Sequence, residues 1–173
     1  LLLLTLALTA LCHAQTVNTD ASVVEEFERT IHTMSVLPED NVNAIVQSDD
    51  GMYWLITTSF LVRYDGHEFV TFKPQVPHHH YFTPHLNIDP YGHLWFGDRY
   101  AGIHIFDPKT NEFYRIKPAS DSLGVLSSRY INGIEFDQNN HAWIATQNGL
   151  NHIVDIPKRW TANTKLKCLH YFD

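Results

Sequence analysis

Twelve histidines and a set of regularly spaced aspartates are the residues of this chain best suited to chemistry. His78, His79 and His80 stand in a row with His85 close behind, a density that suggests metal coordination. Adjacent residues of an extended chain point to opposite sides, so three in a row do not converge on one ion. No Glu or Cys completes a metal-ligand spacing there. The same loop histidines would change charge near neutral pH, although nothing else in the sequence requires a pH response. His104, His141 and His152 are the available general bases for a lyase or hydrolase, yet each falls within or beside a strand pattern and has no evident partner. Asp49, Asp50, Asp89 and Asp137 are more simply read as acceptors for backbone N–H groups in their own turns. Paired carboxylates, a nucleophile motif and a phosphate-cradling loop are missing from the sequence. It therefore predicts no catalytic residue, no metal ligand and no cofactor. Tyr81, Phe82, His85, Arg99 and Tyr100 offer aromatic faces and donors suited to a sugar; the plainer alternative is solvated loop.

The elements that would hold these residues repeat. Units at residues 41–72, 85–116 and 130–154 place Trp54, Trp95 and Trp143 at the same point, 41 and 48 residues apart. Three residues before each Trp stands Gly51, Gly92 or Asn140, types that tolerate positive φ. Six before the second and third stand Asp89 and Asp137, whereas the first unit has Ser48 there. Each unit reads as short strands separated by turn residues, and no sustained helical period interrupts them. Asp65-Gly66 is a hairpin signal of the I′ type, DPKTN at 107–111 is a longer turn, and Asn148-Gly149 turns the third unit.

A four-stranded unit of about forty residues cannot bury both faces alone, but stacked around an axis each sheet covers the next. The expected fold is all-β: a partial β-propeller of about three four-stranded antiparallel blades over residues 35–173, preceded by a signal peptide. The three Trp residues are expected at blade-to-blade contacts. Residues 15–34 would supply a closing outer strand around 27–31, and 165–173 the start of a further one. Three units are too few to close a ring, so uncovered blade faces are expected. The connecting loops at 35–41, 73–85 and 117–129 are long and polar, the kind that gathers around the axis where ligands bind.

Residues 1–14 begin with an apolar run of about eleven residues, too short to span a bilayer and fitted to the core of an export signal truncated at its start. Cleavage after Ala14 would leave Cys168 as the single thiol and no disulfide framework. Lipidation at Cys12 is disfavoured by bulky Leu11. A net charge of −7 without a strong basic cluster argues against nucleic acid.

The stretch NAIVQSDDGMYWLITTSFLVRYDGHEF, with IDPYGHLWFGDRYAGIHIFD and FDQNNHAWIATQNGLNHI, resembles the two-component regulator propeller repeat. The likeness covers roughly residues 35–154. It implies a periplasmic, non-catalytic sensor region of a membrane histidine kinase, often of a hybrid two-component system in Bacteroidetes. It further implies an oligosaccharide ligand, a homodimeric receptor, further propeller blades in the same protein, a downstream membrane span and control of transcription. A propeller lyase or hydrolase, and an exported scaffold without a signalling role, are the alternatives.

Overall fold

The computed structural model describes residues 14–18, 24–27, 29–34, 36–74, 82–118 and 125–171, and among them every regular element is a β-strand. Three short strands come first: β1 (Ala14–Asn18), β2 (Val24–Phe27) and β3 (Arg29–Met34). The first repeat unit follows as β4 (Val42–Gln47), β5 (Tyr53–Thr57), β6 (Leu61–Tyr64) and β7 (Phe69–Pro74). The second comprises β8 (Phe82–Ile88), β9 (Leu94–Asp98), β10 (Gly102–Asp107) and β11 (Glu112–Ile116). The third comprises β12 (Ile131–Phe136), β13 (Ala142–Thr146), β14 (Gly149–Val154) and β15 (Lys167–Tyr171). Each unit is an antiparallel meander, and the three stack as blades of a partial β-propeller. The segment 167–171, expected as the start of a further strand, pairs with β14 and is the fourth strand of the third blade.

The leading strands are distributed in reverse order over the blades. β3 pairs with β7, β2 with β11 and β1 with β15, so each sheet has five strands. The sequence suggested one closing strand; the structure has three. Each satisfies the row of backbone donors and acceptors that an outer blade edge would otherwise expose. Residues 1–13, most of the expected export signal, lie outside the described residues.

Turn chemistry explains where the strands break. Gly51 (φ 86°), Gly92 (φ 91°) and Asn140 (φ 61°) all adopt the positive φ that their types suggested. One turn departs from expectation. A I′ hairpin needs positive φ at both central residues, and at Asp65-Gly66 only Gly66 has it. Tyr64 pairs directly with Phe69, which leaves a four-residue loop. Asp65 Oδ1 shapes that loop by accepting the backbone N–H groups of His67 (2.8 Å) and Glu68 (2.9 Å). The carboxylate takes over the work that backbone twist does in a two-residue turn.

The core lies between blades. Trp54, Ile56, Leu61 and Phe72 of the first blade pack with Phe82, Leu94, Phe96, Phe106 and Phe113 of the second. The other face of the second blade presents Trp95, Ile103, Ile105 and Tyr114 to Ile134, Ile144, Ile153 and Trp160 of the third. The middle blade is thus buried on both faces, and every residue of β9 and β10 is buried. Gly97 permits this closeness: a Cβ there would sit 2.2 Å from Thr83 Oγ1 and 3.1 Å from Ile131 Cβ. The outer faces differ. Ile45 and Tyr53 of the first blade are 58% and 41% exposed, as expected for a sheet face that no neighbour covers among the described residues.

Candidate functional site

The repeat's chemistry is built around its turns. Asp89 Oδ1 accepts the backbone N–H groups of Tyr91 (2.9 Å) and His93 (3.0 Å). Its Oδ2 accepts the Trp95 indole N–H at 3.0 Å and lies 2.8 Å from His93 Nδ1. Asp137 repeats the pattern with Asn139 (2.8 Å), His141 (3.1 Å) and Trp143 Nε1 (2.9 Å). The Trp143 N–H, with the turn amides, holds the Asp137 carboxyl below its usual range. The reading of these aspartates as turn acceptors holds, and the six-residue spacing gains a cause: it lets one carboxylate reach both its turn and the Trp. In the first unit Ser48 replaces the Asp. Its Oγ contacts Asp50 Oδ1 and lies 3.1 Å from Met52 O, while Asp50 Oδ1 accepts the Met52 N–H at 3.3 Å. Two side chains thus share the turn part of one aspartate's task.

Two of the three Trp residues sit at blade contacts. Trp54 meets Phe106 of the second blade at 5.6 Å between ring centroids, and Trp95 meets Phe136 at 5.3 Å and Trp160 at 5.5 Å. Trp143 departs from this. It stacks on His152 of its own blade, with centroids 3.8 Å apart and planes 7° apart, and lies 6.1 Å from Tyr171. Among the described residues no fourth sheet lies against it. Trp160, fully buried in the connection before β15, carried no repeat signal in the sequence.

At the opposite end of the blades from these turns, the starts of β8 and β12 and the loop between β9 and β10 enclose a recess of about 330 Å³. Asn43, Thr83, Pro84, Arg99, Tyr130 and Asn132 line it with Phe82 and Ile131. Asn43 Nδ2 closes the side toward the first blade by donating to Phe82 O at 3.2 Å. The wall thus offers amides, a guanidinium, a hydroxyl and an aromatic face, a donor-rich lining suited to a polar ligand with several hydroxyls.

Of the five residues the sequence proposed for ligand contact, Arg99 lines this recess with its side chain exposed. Phe82 borders it, but its ring is fully buried and meets Phe96 edge-on at 4.9 Å, so it serves the core. Tyr100 is half exposed at the tip of the same loop, where its N–H donates to Asp98 Oδ1 at 2.8 Å. His85 lies within β8, outside the recess lining, and burial holds its pKa below the usual range. Tyr81 and the run His78-His79-His80 lie outside the described residues. Tyr130, 44% exposed in the recess wall, was missed because it falls at the start of a strand pattern where an aromatic reads as packing.

The three histidines without evident sequence partners all have them. His104 is fully buried, stacks on Phe96 and lies 3.3 Å from Asp98 Oδ2. His141 Nδ1 lies 3.0 Å from His152 Nε2 and 3.5 Å from Asp137 Oδ2. The last three residues come from a turn and from β14, and the register of β13 against β14, not a fixed spacing, unites them.

No family model matches the chain, and no curated protein matches it. Solved structures share its fold, two of them over three quarters or more of this chain. One is a virginiamycin B lyase from Staphylococcus aureus, with TM-score 0.56 and 18% identity, covering 81% of this chain and 45% of that one. The other is the extracellular domain of BT4673 from B. thetaiotaomicron, described as a hybrid two-component system. Its TM-score is 0.55 and its identity 18%, and the match covers 75% of this chain and 16% of that one. This chain spans less than half the length of either, and at this identity the likeness establishes a shared propeller fold.

Proposed function

We propose that this chain is an extracytoplasmic ligand-binding propeller segment of a transmembrane two-component receptor. The observation that carries the reading is the in-register Asp–Gly/Asn–Trp turn of stacked blades, in a fold shared over three quarters of the chain with an extracellular domain described as part of a hybrid two-component system. The exposed face at Ile45 and Tyr53, and the Trp143 face that no further sheet covers among the described residues, are surfaces for further blades of the same protein. The recess between Arg99 and Tyr130 is the ligand site, and its donor-rich lining favours an oligosaccharide. A bound glycan would favour one arrangement of a homodimeric ectodomain, and that difference in affinity would shift the kinase across the membrane and so transcription.

Two measurements test this. The reading frame downstream of residue 173 is expected to encode further blades, one membrane span and a kinase module; a stop codon soon after the blades, without a span, overturns the receptor reading. Calorimetry of the complete ectodomain against an oligosaccharide panel is expected to show saturable heat with one glycan class. No heat with any of them removes the carbohydrate ligand.

The second reading is a propeller lyase, favoured by the likeness to virginiamycin B lyase and by the His104–Asp98 pair. The pair fits poorly as a general base, because His104 is fully buried between Phe82 and Phe96 and touches no solvent.

A further inference from the structure

The turn of the second blade and that of the third begin alike. Both pair an Asp with a His four residues on and a Trp six residues on. They differ across the sheet. The residue opposite Trp95 is Ile105, whereas the residue opposite Trp143 is His152. This one exchange brings a second imidazole to the Asp–His pair. Asp137, His141 and His152 then place one ligand atom each within 4.8 Å of one another, the one such group of three among the described residues.

The protons do not fit this arrangement well. Asp137 Oδ2, His141 Nδ1 and His152 Nε2 face a common point, and only one hydrogen fits between the two rings. If His152 donates it, His141 turns a bare lone pair toward the carboxylate. If His141 donates it, His152 carries its proton on Nδ1, which is buried with no hydrogen-bond partner. A cation among the three would take their lone pairs together, with His152 keeping its proton on Nδ1 as in the second case. In blade two, where Ile105 stands in place of His152, the His93–Asp89 pair closes with a single proton at 2.8 Å.

We propose that Asp137, His141 and His152 bind a divalent transition-metal ion, zinc by ligand type, through Oδ2, Nδ1 and Nε2. Bonds near 2.0–2.2 Å in a tetrahedron set ligand atoms about 3.3 Å apart. Two of the three separations, 3.0 and 3.5 Å, bracket that value, and all three ligand atoms lie within 4.8 Å of one another. Trp143 Nε1 at 2.9 Å and the two turn amides fix the carboxylate from outside, as supporting partners of metal ligands do. The side chains of His141 (21% exposed) and Asp137 (29%) leave an approach for the ion, on the face that the receptor reading assigns to a further blade. The site does not depend on the receptor reading.

The test uses the full chain with His78, His79 and His80 replaced by alanine, so that the histidine run cannot answer for the site. After chelator treatment, Co²⁺ is expected to bind at one equivalent with the visible absorption of four-coordinate cobalt, and Zn²⁺ to displace it. His152→Ile copies the second blade's residue and is expected to abolish that stoichiometric binding. No cobalt spectrum, or one unchanged in His152→Ile, overturns the site. Should His152→Ile fail to fold, ring-nitrogen NMR of the His152 parent decides: Zn²⁺ is expected to shift His141 Nδ1 and His152 Nε2, and unshifted signals overturn the site.

Discussion

The Trp95 indole N–H meets Asp89 Oδ2 at 3.0 Å across the turn that separates the two residues in sequence. The same carboxylate also receives two backbone amides and the His93 ring, while only 3% of Asp89 is exposed. A single buried charge therefore ties turn, strand and blade contact together.

Replacing Asp89 by Ala leaves four polar groups to find new partners in a buried place. The expected loss is about 3 kcal/mol or more of stability. For a chain of this size that lowers Tm by roughly 6–12 °C. Differential scanning calorimetry of the full-length protein checks it, and an unchanged Tm would refute the keystone role of Asp89.

Gly97 packs against Thr83 of its own blade and Ile131 of the third. Gly97→Ala is expected to cost about 1–3 kcal/mol, because the new Cβ overlaps Thr83 Oγ1. Thr83→Ala alone should be nearly neutral, since its buried hydroxyl makes no hydrogen bond. The double variant should recover much of the Gly97→Ala loss, and urea melts of all four proteins measure that coupling.

His152 and His85 both have pKa values held below the ordinary histidine value by burial. A folded pKa below the unfolded one means that the unfolded chain binds more protons, so stability rises with pH in that window. Tm should fall as pH drops below about 6.5, the unfolded histidine value. His152→Ile should flatten part of that slope, measured by thermal melts between pH 5 and 8 without added metal.

Cys168 is fully buried in β15, and burial pushes its thiol up to about 12. Only about one molecule in ten thousand would carry the thiolate at pH 8, so disulfide reagents should react with it only after unfolding. Prompt labelling of Cys168 in the native protein, read by peptide mass spectrometry, would contradict its placement.

Arg99 and Tyr130 line the recess from opposite sides of a blade contact. If the recess is the ligand site, Arg99→Ala and Tyr130→Ala should each weaken glycan binding by about tenfold or more while leaving Tm within a degree or two. Calorimetric titration beside thermal melts separates loss of binding from loss of fold.

The sequence by itself determined the repeat and its logic. Trp at a fixed point, Gly or Asn three before it and Asp six before it are local relationships, set by φ preference and by the reach of one side chain, so spacing exposes them. The same locality determined most strand positions and the role of Asp89 and Asp137 as turn acceptors. What the tertiary structure alone decided are the relationships that cross sheets. Phe82, an aromatic in a polar connection, turned inward because Trp54 of the first blade and Phe96 of the second share a core there. The leading segment spread over three blade edges, and the pairing with β7, β11 and β15 that fixes it spans long stretches of chain. His152 is opposite Trp143 only through the register of β13 and β14, a pairing that brings it to Asp137 and His141. Spacing along the chain carries no information about such meetings, because packing and strand register, and not sequence distance, set which atoms face one another.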